Sequence, residues 1–225
     1  MFLARLLGSV VATAILTTTL SYADPTPSPN PKQQGSEIAF VTGIQKDLNA
    51  RFPKAADAEK AGYFRYTNED KTGSISYANL DWTSQDPQHP SQLWYDVNGD
   101  LLGADFSLPR KSKTDPPPSV WGVAPAHWDS FRAHVHYVLA DANGKETYGA
   151  TSVTKFTDAG GNVNAPKAET LVKMGLAKDP SQVKHIFLFP AIWDLEVWVK
   201  DNPNGAFAEM NPLVHPSSNA SSMDD

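Results

Sequence analysis

Ile38, Val41, Ile44, Leu48 and Phe52 recur at helical spacing, and Pro53 ends the run. This stripe predicts a helix opened by Ser36 as its cap, with a shorter one from Lys54 to Lys60 before Gly62. The period then falls to two. GYFRYTN, SISYANLDW, QLWYDV and LLGADFSL alternate or are rich in β-formers, and turn residues separate them. Asn98-Gly99 suits a hairpin turn that needs positive φ, and HVHYVLADANGKETYGATSV repeats the layout around Asn143-Gly144. A third helix is expected over PKAETLVKM, with Pro166 at its first position and Gly175 stopping it. HIFLF and WDLEVWV follow as apolar strands around Pro190. The pattern as a whole predicts a single-domain α+β protein, mainly antiparallel sheet with about three short helices.

Alternation also sorts side chains by face. Ala133, Val135, Tyr137 and Leu139 point one way along their strand, and His134 and His136 point the other. In the last strand Leu195, Val197 and Val199 share a face, with Asp194, Glu196 and Trp198 opposite. Were these two strands neighbours, His134, His136 and Glu196 would converge, with His127 or His185 as a fourth ligand and Trp128, Trp193 and Trp198 as walls. Two imidazoles and a carboxylate suit zinc, iron, manganese or copper. The competing reading makes the histidines polar residues of an outer sheet face, and leaves Asp194 and Glu196 solvated or paired with lysines.

The chain ends narrow the setting. Met1–Arg5 carries one positive charge, Leu6–Leu20 is apolar, and Ser21-Tyr22-Ala23 offers small residues for cleavage, so 1–23 reads as an export signal. The apolar run is shorter than the roughly 20 residues that span a bilayer, and three threonines weaken it. Residues 24–36 are Pro-rich and polar, and read as a disordered tether; 37–214 form the domain, and 215–225 read as a disordered tail. The expected location is therefore secreted or periplasmic, with no stable membrane insertion after cleavage.

Without Arg5, 18 basic residues face 25 acidic ones, a formal charge of −7. That argues against nucleic acid or anionic lipid as the partner. Cysteine is absent, which excludes disulfides, thiol nucleophiles, Fe–S clusters and thiolate zinc sites. Asp96-Val97-Asn98-Gly99-Asp100 opens like a calcium loop but has Leu101 and Ser107 where glycine and an acid belong; the loop Asn68–Gly73 ends its own pattern on Asn79. Ser152-Val153-Thr154-Lys155 spells the Ser-x-x-Lys of penicillin-binding proteins, but the stretch Thr147–Lys155 reads as strand, and Lys71-Thr72-Gly73 precedes the serine instead of following it. Six tryptophans and seven tyrosines could stack on a flat ligand, though large aromatics mostly fill cores. The expectation is an exported protein binding a small ligand or divalent metal ion on a sheet face. A structural or interaction protein of the envelope, or a metal-dependent enzyme, stays open beside it, as does the oligomeric state.

Overall fold

The computed structural model describes residues 31–81 and 86–221. The expected export signal and residues 24–30 of the tether lie outside these, as do 222–225. Helix α1 (Pro31–Arg51) and helix α2 (Ala55–Lys60) come first. A six-stranded antiparallel sheet is built from β1 (Phe64–Arg65), β2 (Ile75–Ala78), β3 (Gln92–Tyr95), β4 (Leu101–Pro109), β5 (Trp128–Phe131) and the last strand, β9 (Ile192–Trp198), in the order β1-β2-β3-β4-β9-β5. A three-stranded antiparallel sheet has β6 (His134–Ala140) at its centre, between β7 (Glu146–Ser152) and β8 (Val183–Phe189). Helices α3 (Val153–Asp158) and α4 (Ala168–Lys173) complete the α+β fold. No described helix is long and apolar enough to cross a membrane.

Each sheet uses both of its faces. Ile44, Leu48 and Phe52 of α1 pack on Leu93, Tyr95, Phe106, Leu195 and Val197 of the large sheet. Val135 and Leu188 of the small sheet pack on Phe156 of α3 and Leu171 of α4. Between the sheets, Tyr66 and Ala78 meet Val138 and Phe187. The layers therefore run helices, large sheet, small sheet, helices. The face of β6 that carries the histidines is consequently turned towards the large sheet and is not an outer, wetted face.

The hairpins β3–β4 and β6–β7 turn by the same chemistry. Asp96 Oδ1 accepts from the amides of Asn98 and Asp100, and Asp141 Oδ1 accepts from those of Asn143 and Lys145. Gly99 and Gly144 sit at φ +74° and +80°, where a side chain is strained. Asp70 does similar work, accepting from the amides of Thr72 and Ser74. The acidic residues that resembled calcium ligands thus close turns on their own backbone.

Four expectations need correction. Helix α1 starts at Pro31, so residues 31–36 are helix and not tether, and Ser36 is no cap. Proline suits a first helical position, and tertiary bonds hold the early turns: Ser36 Oγ donates to the Gly122 carbonyl at 2.7 Å and Glu37 accepts from the Ala124 amide at 2.9 Å. The strand expected to reach Lys155 stops at Ser152, whose hydroxyl accepts from the Lys155 amide and caps α3, because burying Phe156 requires the helical turn. The third helix begins at Ala168 instead of Pro166. Strand β5, too short and polar to stand out in the sequence, pairs along β9.

The fourth correction concerns the C-terminus. Residues 215–221, expected to be free, are docked. Ser217 donates its amide to Glu69 Oε1 at 2.6 Å and its hydroxyl to Glu69 Oε2, and the Ser221 amide donates to the Glu69 carbonyl at 2.9 Å. Val214 is buried against Trp94, Leu102 and Trp198 and anchors the segment. The sequence lacked apolar residues there, but backbone amides satisfying a buried carboxylate do the same work. Glu69→Ala is expected to free this segment, with faster hydrogen exchange at Ser217 and Ser221 and a stability loss of about 1–3 kcal/mol; unchanged exchange at both amides would refute the assignment.

Candidate metal centre

The large sheet presents one apolar face to α1. Its other face, turned towards the small sheet, carries a run of buried polar groups: Ser91, Gln92, Asp105, Ser107 and Asp194. Register explains the clustering. Asp105 pairs with Gln92 of β3 on one side and with Glu196 of β9 on the other, and Ser107 pairs with Asp194. Side chains two residues apart on a strand share a face, so β4 and β9 together set three carboxylates side by side. One ligand atom from each of Asp105, Asp194 and Glu196 lies within 4.8 Å of the others.

Each carboxylate is held differently. Trp94 Nε1 donates to Asp105 Oδ2 at 2.9 Å, leaving Asp105 Oδ1 buried with no hydrogen-bond partner. Trp94 can reach across β4 because residue 103 is glycine: a Cβ there would stand 2.4 Å from the indole. Ser107 Oγ donates to Asp194 Oδ1 at 2.7 Å, and Ser91 Oγ lies 2.7 Å from Ser107 Oγ, so an ionised Asp194 ends a chain of two hydroxyls. Glu196 is partly exposed and connects the group to solvent.

Among the described residues none of the three acids forms an ion pair. Burial pushes Asp194 up to about 7, against the hydrogen bond from Ser107 and with further repulsion from Glu196 and Asp129. Burial also pushes Glu196 up to about 7, helped by the charges of Asp129, Asp70 and Glu209. Asp105 is raised well above the ordinary carboxylate range by burial first, then by Asp194 and Glu196. The neighbouring charges that act most on Glu196, those of Asp129, Asp70 and Glu209, are all acidic. Such a group relieves its repulsion by keeping protons or by taking up a cation, and three carboxylates with no nitrogen donor suit a hard one.

The residues singled out in the sequence are not brought together. Strand β6 pairs with β7 and β8, while β9 pairs with β4 and β5, so the adjacency assumed between them is absent. Glu196 belongs to the carboxylate cluster. His134 and His136 touch each other on the small sheet, with their Nε2 atoms 2.8 Å apart. His127 Nε2 lies 3.5 Å from Glu37 Oε1, and its ring stacks on Phe207. His185 stacks on Phe64 with ring centroids 4.0 Å apart. Of the three tryptophans expected as walls, Trp128 and Trp193 lie on the opposite face of the large sheet, in or against its core; Trp198 packs on Trp94 beside the cluster.

Asp105 escaped the sequence reading. Its signal is faint but present: Gly103, Asp105 and Ser107 occupy alternate positions of an otherwise apolar strand, as Asp194 and Glu196 do in β9. Only the pairing of β4 with β9 joins the two sets. A hollow of about 550 Å³ lies elsewhere, between Trp121, Trp193, Pro116 and Pro118, and none of the three carboxylates lines it. No family model, no curated protein and no solved structure matches the chain.

Proposed function

We propose that this is an exported protein that binds a hard divalent cation, of the magnesium, manganese or calcium kind, through Asp105, Asp194 and Glu196. The observation that carries the reading is Asp105 Oδ1, an oxygen buried without a partner inside a cluster of three acids that form no ion pair among the described residues. A cation would satisfy that oxygen and cancel the repulsion that burial magnifies. Three carboxylates are fewer ligands than such ions take, so water reaching the group past Glu196 would complete the shell. Only oxygen donors take part, so zinc and copper, which prefer nitrogen and sulfur, fit this group less well. The role assigned is binding; the cation would brace strands β4 and β9 on the face of the large sheet opposite α1.

Thermal unfolding of chelator-treated protein at pH 8 tests this. Millimolar calcium, magnesium or manganese is expected to raise the midpoint by ~5–10 °C when the ion stands about a hundredfold above its Kd. Asp105→Asn is expected to show no such rise. An equal response in the variant, or none in the wild type, would dispose of the proposal.

A further inference from the structure

On the small sheet, His134 and His136 are adjacent on one face of β6, and their rings are fixed by their surroundings. His134 stacks on Phe189 and His136 on Phe187, and the edge of Tyr66 closes on His136 from the large sheet. His136 is buried and His134 partly exposed. Their Nε2 atoms face each other at 2.8 Å.

The hydrogen bonds behind the rings decide what lies between these atoms. His134 Nδ1 lies 2.8 Å from the Arg132 carbonyl, which can only accept, so Nδ1 carries the hydrogen and a neutral His134 has a bare Nε2. His136 then has two choices. With its hydrogen on Nε2 it bonds His134, but its Nδ1 is left as a bare acceptor, buried and with no hydrogen-bond partner. With its hydrogen on Nδ1, its Nε2 is bare as well. In that arrangement both Nε2 lone pairs point at one spot, and a positive species must occupy it. A backbone carbonyl holding the far nitrogen of an imidazole, as that of Arg132 holds His134, is a usual outer support of a metal site.

We propose that His134 and His136 form a second cation site, chelating an ion of the copper(II) or nickel(II) type through their Nε2 atoms. An ion about 2.0 Å from each nitrogen would see them at about 90°, the angle between adjacent ligands in square-planar or octahedral coordination. Tetrahedral zinc would need the nitrogens about 3.4 Å apart, a wider separation than the strand provides. The half-open side of His134 leaves room for water to supply the remaining ligands. The site differs from the carboxylate cluster in donor type, sheet and expected ion, so either can fail without the other.

Copper(II) titrated into the full chain, saturated beforehand with magnesium, provides the test. Wild type and Asp105→Asn are both expected to bind, with electron paramagnetic resonance showing coupling to imidazole nitrogen, and His134→Asn is expected to bind at least tenfold more weakly. Wild-type protein labelled with ¹⁵N in histidine offers a second reading that needs no variant and so does not depend on how the sheet tolerates the substitution. Zinc should shift the Nε2 resonances of these two histidines weakly, and nickel should broaden them selectively. Equal copper affinity in His134→Asn, or histidine resonances indifferent to nickel, would show that the pair holds a shared proton only and overturn the site.

Discussion

Gly103→Ala is expected to cost about 3 kcal/mol or more, measured by urea unfolding, although it adds one methyl group to a residue whose φ is not positive. The reason is steric. A Cβ at this position would meet Trp94 Cε3 at 2.4 Å, Trp94 Cζ3 at 2.6 Å and the Val197 carbonyl oxygen at 2.7 Å. Neither neighbour is free to move. Trp94 is held by its bond to Asp105 and by Trp198, whose ring stands across it at 5.5 Å, and the carbonyl belongs to β9 within the sheet. Overpacking of this kind commonly costs 1–3 kcal/mol, and the displaced indole would also abandon a buried carboxylate oxygen. Gly99→Ala is the comparison. There the φ of +74° carries the cost, and the nearest atom to a Cβ is Ala55 Cβ at 3.5 Å, ordinary contact, so about 1–2 kcal/mol is expected. If the two substitutions cost the same, Trp94 is not wedged over β4 as described.

Without divalent cations, the protein is expected to be less stable at pH 8 than at pH 5, by on the order of 3 kcal/mol. Asp194 and Glu196 titrate near 7 in the folded chain and near 4 when unfolded, with Asp105 displaced in the same direction. Between those values the native state holds protons that the unfolded state has lost, so stability falls as pH rises. His136 acts in the opposite sense. Burial holds it down to about 3, so from there to about 6.5 the unfolded chain binds the extra proton and stability rises with pH. Three carboxyl groups outweigh one imidazole, whose opposition fades towards about 6.5, so the steepest decline should lie just below the folded values of about 7. Exposed acids such as Asp86, Asp115 and Asp179 have lowered pKa values and act only at the acid end.

Asp105→Asn should flatten this profile and stabilise the cation-free protein at pH 8. Its amide oxygen keeps the bond from Trp94 while its NH₂ group can donate to a neighbouring carboxylate. Urea unfolding at pH 5, 6.5 and 8 in chelator reads both effects. A wild-type profile that is flat or rises towards pH 8 would mean that the acids are not packed together as described.

Much of the fold was legible because it is written locally. Alternation placed Leu195, Val197 and Val199 on one apolar face, and all three are buried in one cluster. Asn98-Gly99 and Asn143-Gly144 marked turns because few other residue pairs accept that backbone. The errors also have local causes. Ser152 suits the end of a strand as well as a helix cap, and the burial of Phe156 decides between them. Pro166 could open a helix, but α4 waits for Ala168. The docked C-terminus follows from Glu69, a residue nearly 150 positions away.

By itself, the sequence determined the side-chain period of the longer segments, the Asn-Gly turn positions, the absence of cysteine and the presence of two histidines on one strand face. Tertiary structure alone decided that β9 lies against β4, that Glu196 joins Asp105 and Asp194, and that the histidines face a second sheet instead of water. The division has a physical origin. Period and turn chemistry depend on steric preferences over a few residues. Strand order depends on which distant faces bury the most apolar surface together, and that sum involves the whole chain at once.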